Sequence, residues 1–545
     1  VVLLLGLLSP APPLPRPGAP GLAGAAQAQP AARSPSGPFL DVRDFGAVPD
    51  GKTKNTAAIR RALAAAAARG GGTIYFGPGQ YLTGPIHLKS HVTLFGDAGA
   101  VVKFSSDFDD YLPMVRMRWE GTEVTGFSPL IYGEKLENVS IRGRGTLDGQ
   151  GEPWWKFFHA LRAERKKTGV WPADSKWQRE FFEKNKDLEW PEDPEPVQKM
   201  GFLRPPFIQL LDSKNIFIEG VTIRNSPFWT INPVYCDNVT VHGVTIENPD
   251  AAPNTDGINP ESCRNVRISD CHINVGDDCI TIKSGRDRQG RRIGRPAENY
   301  TITNCTMLHG HGGVVIGSEM SGGVKEITIS NCVFDGTDRG IRMKSTRGRG
   351  GVVENVRVSN VVMKNIRDEA IVLDLHYTKT TPEPASERTP RFRNIHLSGV
   401  TAQAKIAGRL VGLPESPLEN VTLTDMHLVA ATGILIQEAK DISLRGIRVD
   451  AESGPAVTAE RTAGLRLHDV GTGAPRGKTP VIDLVDARDV FLHGSVAGAG
   501  TEIFLRVGGK DSRGIRLAGN DLGAAKVPIA TAKDVKAGTV VSRAP

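Results

Sequence analysis

The hydrophobic pattern of this 545-residue chain is one phrase repeated many times. It reads "NIFIEGVTIRN" from Asn215, "NVTVHGVTIEN" from Asn238, "NVRISDCHINV" from Asn265 and "NYTITNCTMLH" from Asn299. Further copies start at Glu326, Asn355, Asn394 and Asn420, and weaker ones at Asp441, Gly464 and Asp489. In each copy apolar and polar residues alternate with the period of a strand, break at a Gly, Asn or Asp, and alternate again. The starts are 23, 27, 34, 27, 29, 39, 26, 21, 23 and 25 residues apart. That variation excludes a strict-period repeat such as a leucine-rich repeat, and no paired I′-type turns join the copies as a sandwich would need. A parallel β-helix accommodates both facts: one coil per copy, equivalent strands stacked into long parallel sheets, and loops of free length on the flank.

The apolar end of such a solenoid needs a cover. "NTAAIRRALAAAAARGGG", from Asn55, has a polar start, strong helix formers and a glycine stop, and predicts a helix over the first coil. Residues 150–206 break the rhythm with a charged, aromatic insertion, "WWKFFHALRAERKKTGVW" among it, expected to contain helices. It reads equally as a cleft wall or as loop decoration. Beyond about residue 435 the copies lose their polar signatures, so 37–435 is expected to carry the function and 436–545 to be architectural coils and a tail.

The chain opens on "VVLLLGLLSPAPPLPRPGAP", an apolar run too short to span a bilayer. With "AQA" at Ala26 to Ala28, residues 1–36 read as the remnant of a secretory signal plus a linker; an apolar tail without that role is the alternative. The protein is therefore expected to be secreted or periplasmic, without a membrane span, and a monomer.

Hydrophobic residues at 39% and charged residues at 23% describe a core-forming chain, so disorder is excluded. The net charge of +7 suggests affinity for polyanions, without separating nucleic acid from acidic polysaccharide. Six cysteines are too few for a disulfide scaffold. Cys271, Cys305 and Cys332 recur at one place in the repeat, as buried stacked thiols would, and there is no CxxC pair to suggest zinc. No metal and no cofactor are expected.

The unusual polar residues fall on consecutive coils. "NTD" (Asn254, Thr255, Asp256) precedes the Asn265 copy, Asp277-Asp278 follows its strands, "GHGG" around His311 follows the Asn299 copy, and "GIRMKS" with Arg342 and Lys344 follows the Glu326 copy. The separations Asp256 to Asp278, Asp278 to His311 and His311 to Arg342 are 22, 33 and 31 residues, about one coil each. Stacking places corresponding positions about 4.8 Å apart. Three carboxylates, a histidine and two cations would then share one side of the helix, where crowding raises the pKa of one carboxylate while another stays ionised. Taken singly, Asn and Asp are ordinary turn residues, and Arg342 with Lys344 could be a solvated strand face.

"NTDG", "GDDC", "GHGG" and "IRMKS" together resemble the signature segments of glycoside hydrolase family 28, the polygalacturonases, over roughly Phe39 to Leu413. "FLDVRDFGAVPDGKTKNTAAI" resembles the opening of other pectin-acting β-helix proteins, and "SEMSGGVKEI" and "RGRGGVVENV" resemble the bacterial branch. The resemblance implies an all-β, right-handed, pectin-lyase-like β-helix that hydrolyses α-1,4 bonds of polygalacturonate or oligogalacturonides with inversion, and no nucleic-acid partner. By it Asp277 would be the general acid, Asp256 and Asp278 would hold and deprotonate the attacking water, and His311 would tune the acid. Asn254 would contact substrate, Arg342 and Lys344 would grip a galacturonate carboxylate, and Tyr377 in "LDLHYTKTTPE" matches a substrate-contacting tyrosine. An acid-to-base gap of about 6.5–9.5 Å, the usual one for inversion, is expected between neighbouring coils. One departure puts a disulfide of the fungal relatives in doubt: Cys279 is present, but Met307 stands where its partner would be. A pectate lyase on the same fold and a non-catalytic carbohydrate-binding β-helix are the competing readings.

Overall fold

The computed structural model describes residues 39–188, 190, 199–475 and 477–542; the expected signal remnant and linker over 1–36 lies outside them. From Phe39 onward the repeats form a right-handed parallel β-helix, with every coil-to-coil strand pairing parallel. The pairings reproduce the sequence intervals: Val239 lies beside Ile216, Val266 beside Val239, Tyr300 beside Val266 and Ile327 beside Tyr300. The ladder passes 435 without a break and continues to the strand Val540–Ser542.

The recurrent Asn is a backbone requirement. Asn215, Asn238, Asn265, Asn299, Asn355, Asn394 and Asn420 all have φ between 51° and 61°. This left-handed conformation costs most side chains about 1–2 kcal/mol and is tolerated best by Gly, Asn and Asp. Their amides also form a ladder along the edge: Asn215 donates to Asn138 at 2.8 Å and Asn238 to Asn215 at 2.7 Å. The break between the two strands of each copy is a second left-handed turn, made by Gly220, Gly243, Asp270, Asn304, Asn331, Asn360 and Gly399.

A third sheet closes each coil and carries the chemistry. Its inward column runs Ile131, Ile208, Ile231, Ile258, Ile280, Val314, Ile341, Ile371 in direct register, all buried. Cys271, Cys305 and Cys332 stack in the core as expected, and all six cysteines are free and buried. Cys279 has no disulfide partner: its thiol donates to the His309 carbonyl at 3.2 Å.

The predicted cap is the helix α1 (Thr56–Ala68), which buries Ala58, Ile59, Ala62, Leu63 and Ala66 against the first coil. Asn55 does not cap it with its side chain, which instead bonds Val48 through both amide atoms. The insertion contains α2 (Glu152–Thr168) and α3 (Lys176–Lys184). It has an aromatic core of its own, in which Trp154 is fully buried against Phe108, Tyr111, Phe127 and Phe202. Beside it stands an antiparallel hairpin, Val115–Trp119 with Thr122–Gly126, whose Trp119 stacks on Phe228 at 4.7 Å.

The turn ladder makes a prediction about stability. Asn238 has φ 59°, donates to Asn215 and accepts from Arg267 at 2.8 Å. Asn238→Ala loses these bonds and keeps the strained φ, for a cost of about 2–3 kcal/mol, whereas Asn238→Gly loses the bonds alone and costs about 1 kcal/mol less than alanine. Denaturant unfolding of the two variants checks this; alanine as benign as glycine would contradict it.

Candidate active site

The third sheet turns its opening toward a cleft of about 230 Å³ lined by Asn254, Asp256, Asp277, Asp278, Lys283 and Lys344, among others. Asp278 begins the strand Asp278–Ile282, and its carbonyl accepts from the Gly257 N–H at 3.0 Å, which draws the Asp256 segment alongside. One oxygen from each of Asp256, Asp277 and Asp278 lies within 4.8 Å of the others. Asp256 and Asp278 sit on directly adjacent coils, and Asp277 is next to Asp278. A water donating two hydrogen bonds of about 2.7–2.8 Å spans roughly 4.5 Å between its acceptors, so the carboxylates still admit one water.

Their environments separate their proton affinities. Asp256 is buried, and that burial, reinforced by the charges of Asp277 and Asp278, pushes its carboxyl well above the ordinary range. Asn259 donates to it at 2.9 Å. Asp278 is equally buried, but Lys344, Arg342 and Lys283 overcome that penalty and bring it down to about 2. The Lys344 ammonium lies 2.8 Å from Asp278, and Arg342 lies 3.6 Å from it. One carboxylate is thus driven toward its protonated form while its neighbour stays ionised.

Asp277 is the most exposed of the three, at 16% of its side chain, and faces His311, whose Nδ1 is 3.1 Å from it. That hydrogen bond outweighs burial and raises the imidazole to about 9, so half-exposed His311 is protonated at neutral pH. Its favourable contribution is complete below about 6.5, the ordinary value, and is lost as pH rises through about 9. On its other side Asp277 faces Asn254, whose amide is 3.5 Å away.

The cations stand further along the sheet than the sequence count suggests. Asp278 pairs with Gly312, so His311 is level with Asp277, but Arg342 pairs with Val315 and Lys344 with Gly317, four and six residues beyond His311. Both side chains reach back to Asp278 and lie against Tyr377, at 5.6 and 5.2 Å from its ring centre. Six of the eight residues singled out in the sequence line this cleft, and His311 and Arg342 adjoin it through Asp277 and Asp278.

Two contributors escaped the sequence reading. Lys283, in the stretch "VGDDCITIKSG", donates from its ammonium to the Gly317 carbonyl at 3.2 Å and to Glu319 at 2.6 Å, and lies 4.7 Å from the centre of the Trp229 ring. It was legible as a basic residue five positions after Asp278 on the same strand run. Arg204 was not legible: it comes from the end of the insertion, is buried against the Phe158 ring of α2 at 4.2 Å, and donates to Asn254 at 2.8 Å. The three aspartates are also the described residues whose oxygens could converge on a cation, and Lys344 and Lys283 already place positive charge in that set.

Known proteins share this arrangement of sequence. The profile of glycosyl hydrolases family 28 matches residues 190–455, and that of rhamnogalacturonase A/epimerase, pectate lyase-like, matches 39–151. The chain is 33% identical to a probable polygalacturonase of Vitis vinifera over 71% of its length and 74% of the relative's. It is 31% identical to an endo-polygalacturonase of Pectobacterium carotovorum subsp. carotovorum, over 63% of this chain and 77% of the relative. A crystal structure of a hyperthermoactive exopolygalacturonase from Thermotoga maritima superposes with a TM-score of 0.65 at 35% identity, covering 75% of this chain and 92% of that one. With its β-helix and four signature segments in order, the chain belongs to glycoside hydrolase family 28.

Proposed function

We propose that the protein hydrolyses α-1,4 bonds between galacturonate units of pectic polymers or oligomers, with inversion. The observation that carries this reading is the pairing of a carboxyl pushed toward its protonated form, Asp256, with one held ionised, Asp278, in a cleft lined by Lys344 and Tyr377, with Arg342 beside Asp278. Asp277, more exposed than the other two and hydrogen-bonded to cationic His311, is placed to protonate the leaving oxygen. Buried Asp256, whose carboxyl is pushed up by burial and by the charges of its neighbours, lies beside Asp277 and can share a proton with it. Ionised Asp278 orients and deprotonates the attacking water.

Arg342 and Lys344 give the cleft its preference for an acidic sugar. Their positive charge exceeds what Asp278 neutralises, and Tyr377 offers a partly exposed ring beside them. Arg204 holds Asn254 from below, which couples the insertion to the acid. Every group named belongs to one chain, so the reading needs no second copy. Among the described residues no helix is long and apolar enough to cross a membrane. We place the reaction outside the cytoplasm, where the polymer is.

Incubation with polygalacturonate should release reducing ends without the ultraviolet absorbance of an unsaturated uronide, and Asp277→Asn should slow that release a hundredfold or more, as loss of general acid catalysis typically costs about 10²–10⁴. Appearance of the unsaturated product, or an Asp277→Asn variant as fast as its parent, would refute the assignment.

Lys344→Met removes both a substrate cation and the closest counter-charge of Asp278. It should lower kcat/KM on polygalacturonate roughly tenfold to hundredfold, as loss of a charged hydrogen bond does. Because Lys344 helps hold Asp278 down at about 2, its loss raises that pKa, and the acid limb of the kcat profile should move to higher pH. An unmoved acid limb would show that Asp278 is not the base.

A further inference from the structure

The final coils, which the sequence marked as architectural, carry an unassigned surface. On the outward face of the first sheet, Arg445, His468 and His493 follow one another in register, and beside them Arg466, Phe491 and Arg516 do the same. Arg466 and His468 are two residues apart on one strand, as are Phe491 and His493 on the next, so all project from the same face. The rings form a platform: Phe491 stacks on His493 at 4.8 Å, and His493 on His468 at 4.3 Å. Arg516 lies 5.7 Å over Phe491.

Three observations separate this from an ordinary solvated strand face. First, Arg445, Arg466 and Arg516 are exposed and have no ion-pair partner among the described residues, whereas neighbouring Arg488 is matched by Asp511 at 3.6 Å. Second, Asp441 and Asp489 sit in the turns before this face and point along the turn edge at Gly464 and Gly514 of the next coil. Third, flat, half-exposed rings flanked by uncompensated guanidinium groups suit a ligand with both an apolar face and regularly spaced negative charge. Burial, His468 and Arg445 hold the His493 imidazole below its ordinary value, so the arginines carry the charge of the patch.

We infer that this face is an accessory binding surface for a uronate polysaccharide, a sugar ring stacking on the Phe491–His493 platform while neighbouring carboxylates meet Arg466 and Arg516. It lies on a different sheet from the aspartate cleft, and five of its six residues lie beyond the family 28 match. Strands about 4.8 Å apart present the cations as a ladder, suited to a polymer rather than to one small anion. The choice of uronate rests on the activity proposed above; the platform and its unpaired arginines do not.

The test is affinity electrophoresis of the full chain carrying Asp277→Asn, through gels holding polygalacturonate, fully methyl-esterified polygalacturonate or dextran sulfate. The parent should be retarded by polygalacturonate and not by the ester. Arg466→Ser/Phe491→Ala/Arg516→Ser should weaken that retardation roughly tenfold or more, the loss of charged and stacking contacts together, with an unchanged Tm. The same triple change in a chain retaining Asp277 should leave hydrolysis of a trigalacturonate unaltered. Equal retardation of parent and triple variant would overturn the surface, and retardation by dextran sulfate as strong as by polygalacturonate would overturn its uronate assignment. Failure of the unaltered chain to cleave trigalacturonate would instead count against the proposed activity, while the electrophoresis still decides the surface.

Discussion

Backbone hydrogen bonding between successive coils is the constraint from which the rest follows. It fixes corresponding residues about 4.8 Å apart whatever their side chains. It therefore stacks Ile on Ile through the third sheet, Cys on Cys in the core, and Asn on Asn at the turns. The left-handed turns make that stacking repeatable, since each coil must reverse direction at fixed points. Loops between those points are free to lengthen, which is how 23 and 39 residues can both make one coil.

The same constraint forces like charges together at the site. Two unit charges 4.8 Å apart in a partly buried setting, with an effective dielectric near 20, repel by about 3 kcal/mol. That exceeds two pKa units, so three ionised carboxylates are less favourable than two and a proton. Lys344, Arg342 and Lys283 decide where the proton does not sit, by holding Asp278 ionised. Burial, with the charges of Asp277 and Asp278, pushes the Asp256 carboxyl the other way. His311, made cationic by Asp277, completes a set in which charge alternates across the cleft.

Much of this was legible in the sequence because a β-helix writes its geometry locally. The Asn-led phrase carried the turns, the alternation carried the strands, and the intervals carried the coil register, so Asp256, Asp278 and His311 could be stacked by counting. The count slipped at Arg342 and Lys344, because a loop's length does not say where along the next strand a residue stops. Arg204 was out of reach, since its position depends on the insertion's aromatic core, whose packing partners Trp154 and Phe202 are 48 residues apart in sequence. The platform of Phe491 and His493 hid behind the loss of the polar signatures, which concerned the third sheet and not the first.

The central claim is that three carboxylates this close hold a water between them and do not attack the sugar themselves. Proton NMR of the first seconds of oligogalacturonide cleavage reads it directly, because the α bond yields a β anomer at the new reducing end if water attacks from the opposite face. The account predicts that the β anomer appears first and the α anomer grows in by mutarotation. An α anomer appearing first would mean a covalent intermediate on one of the aspartates, and would contradict the account at its centre.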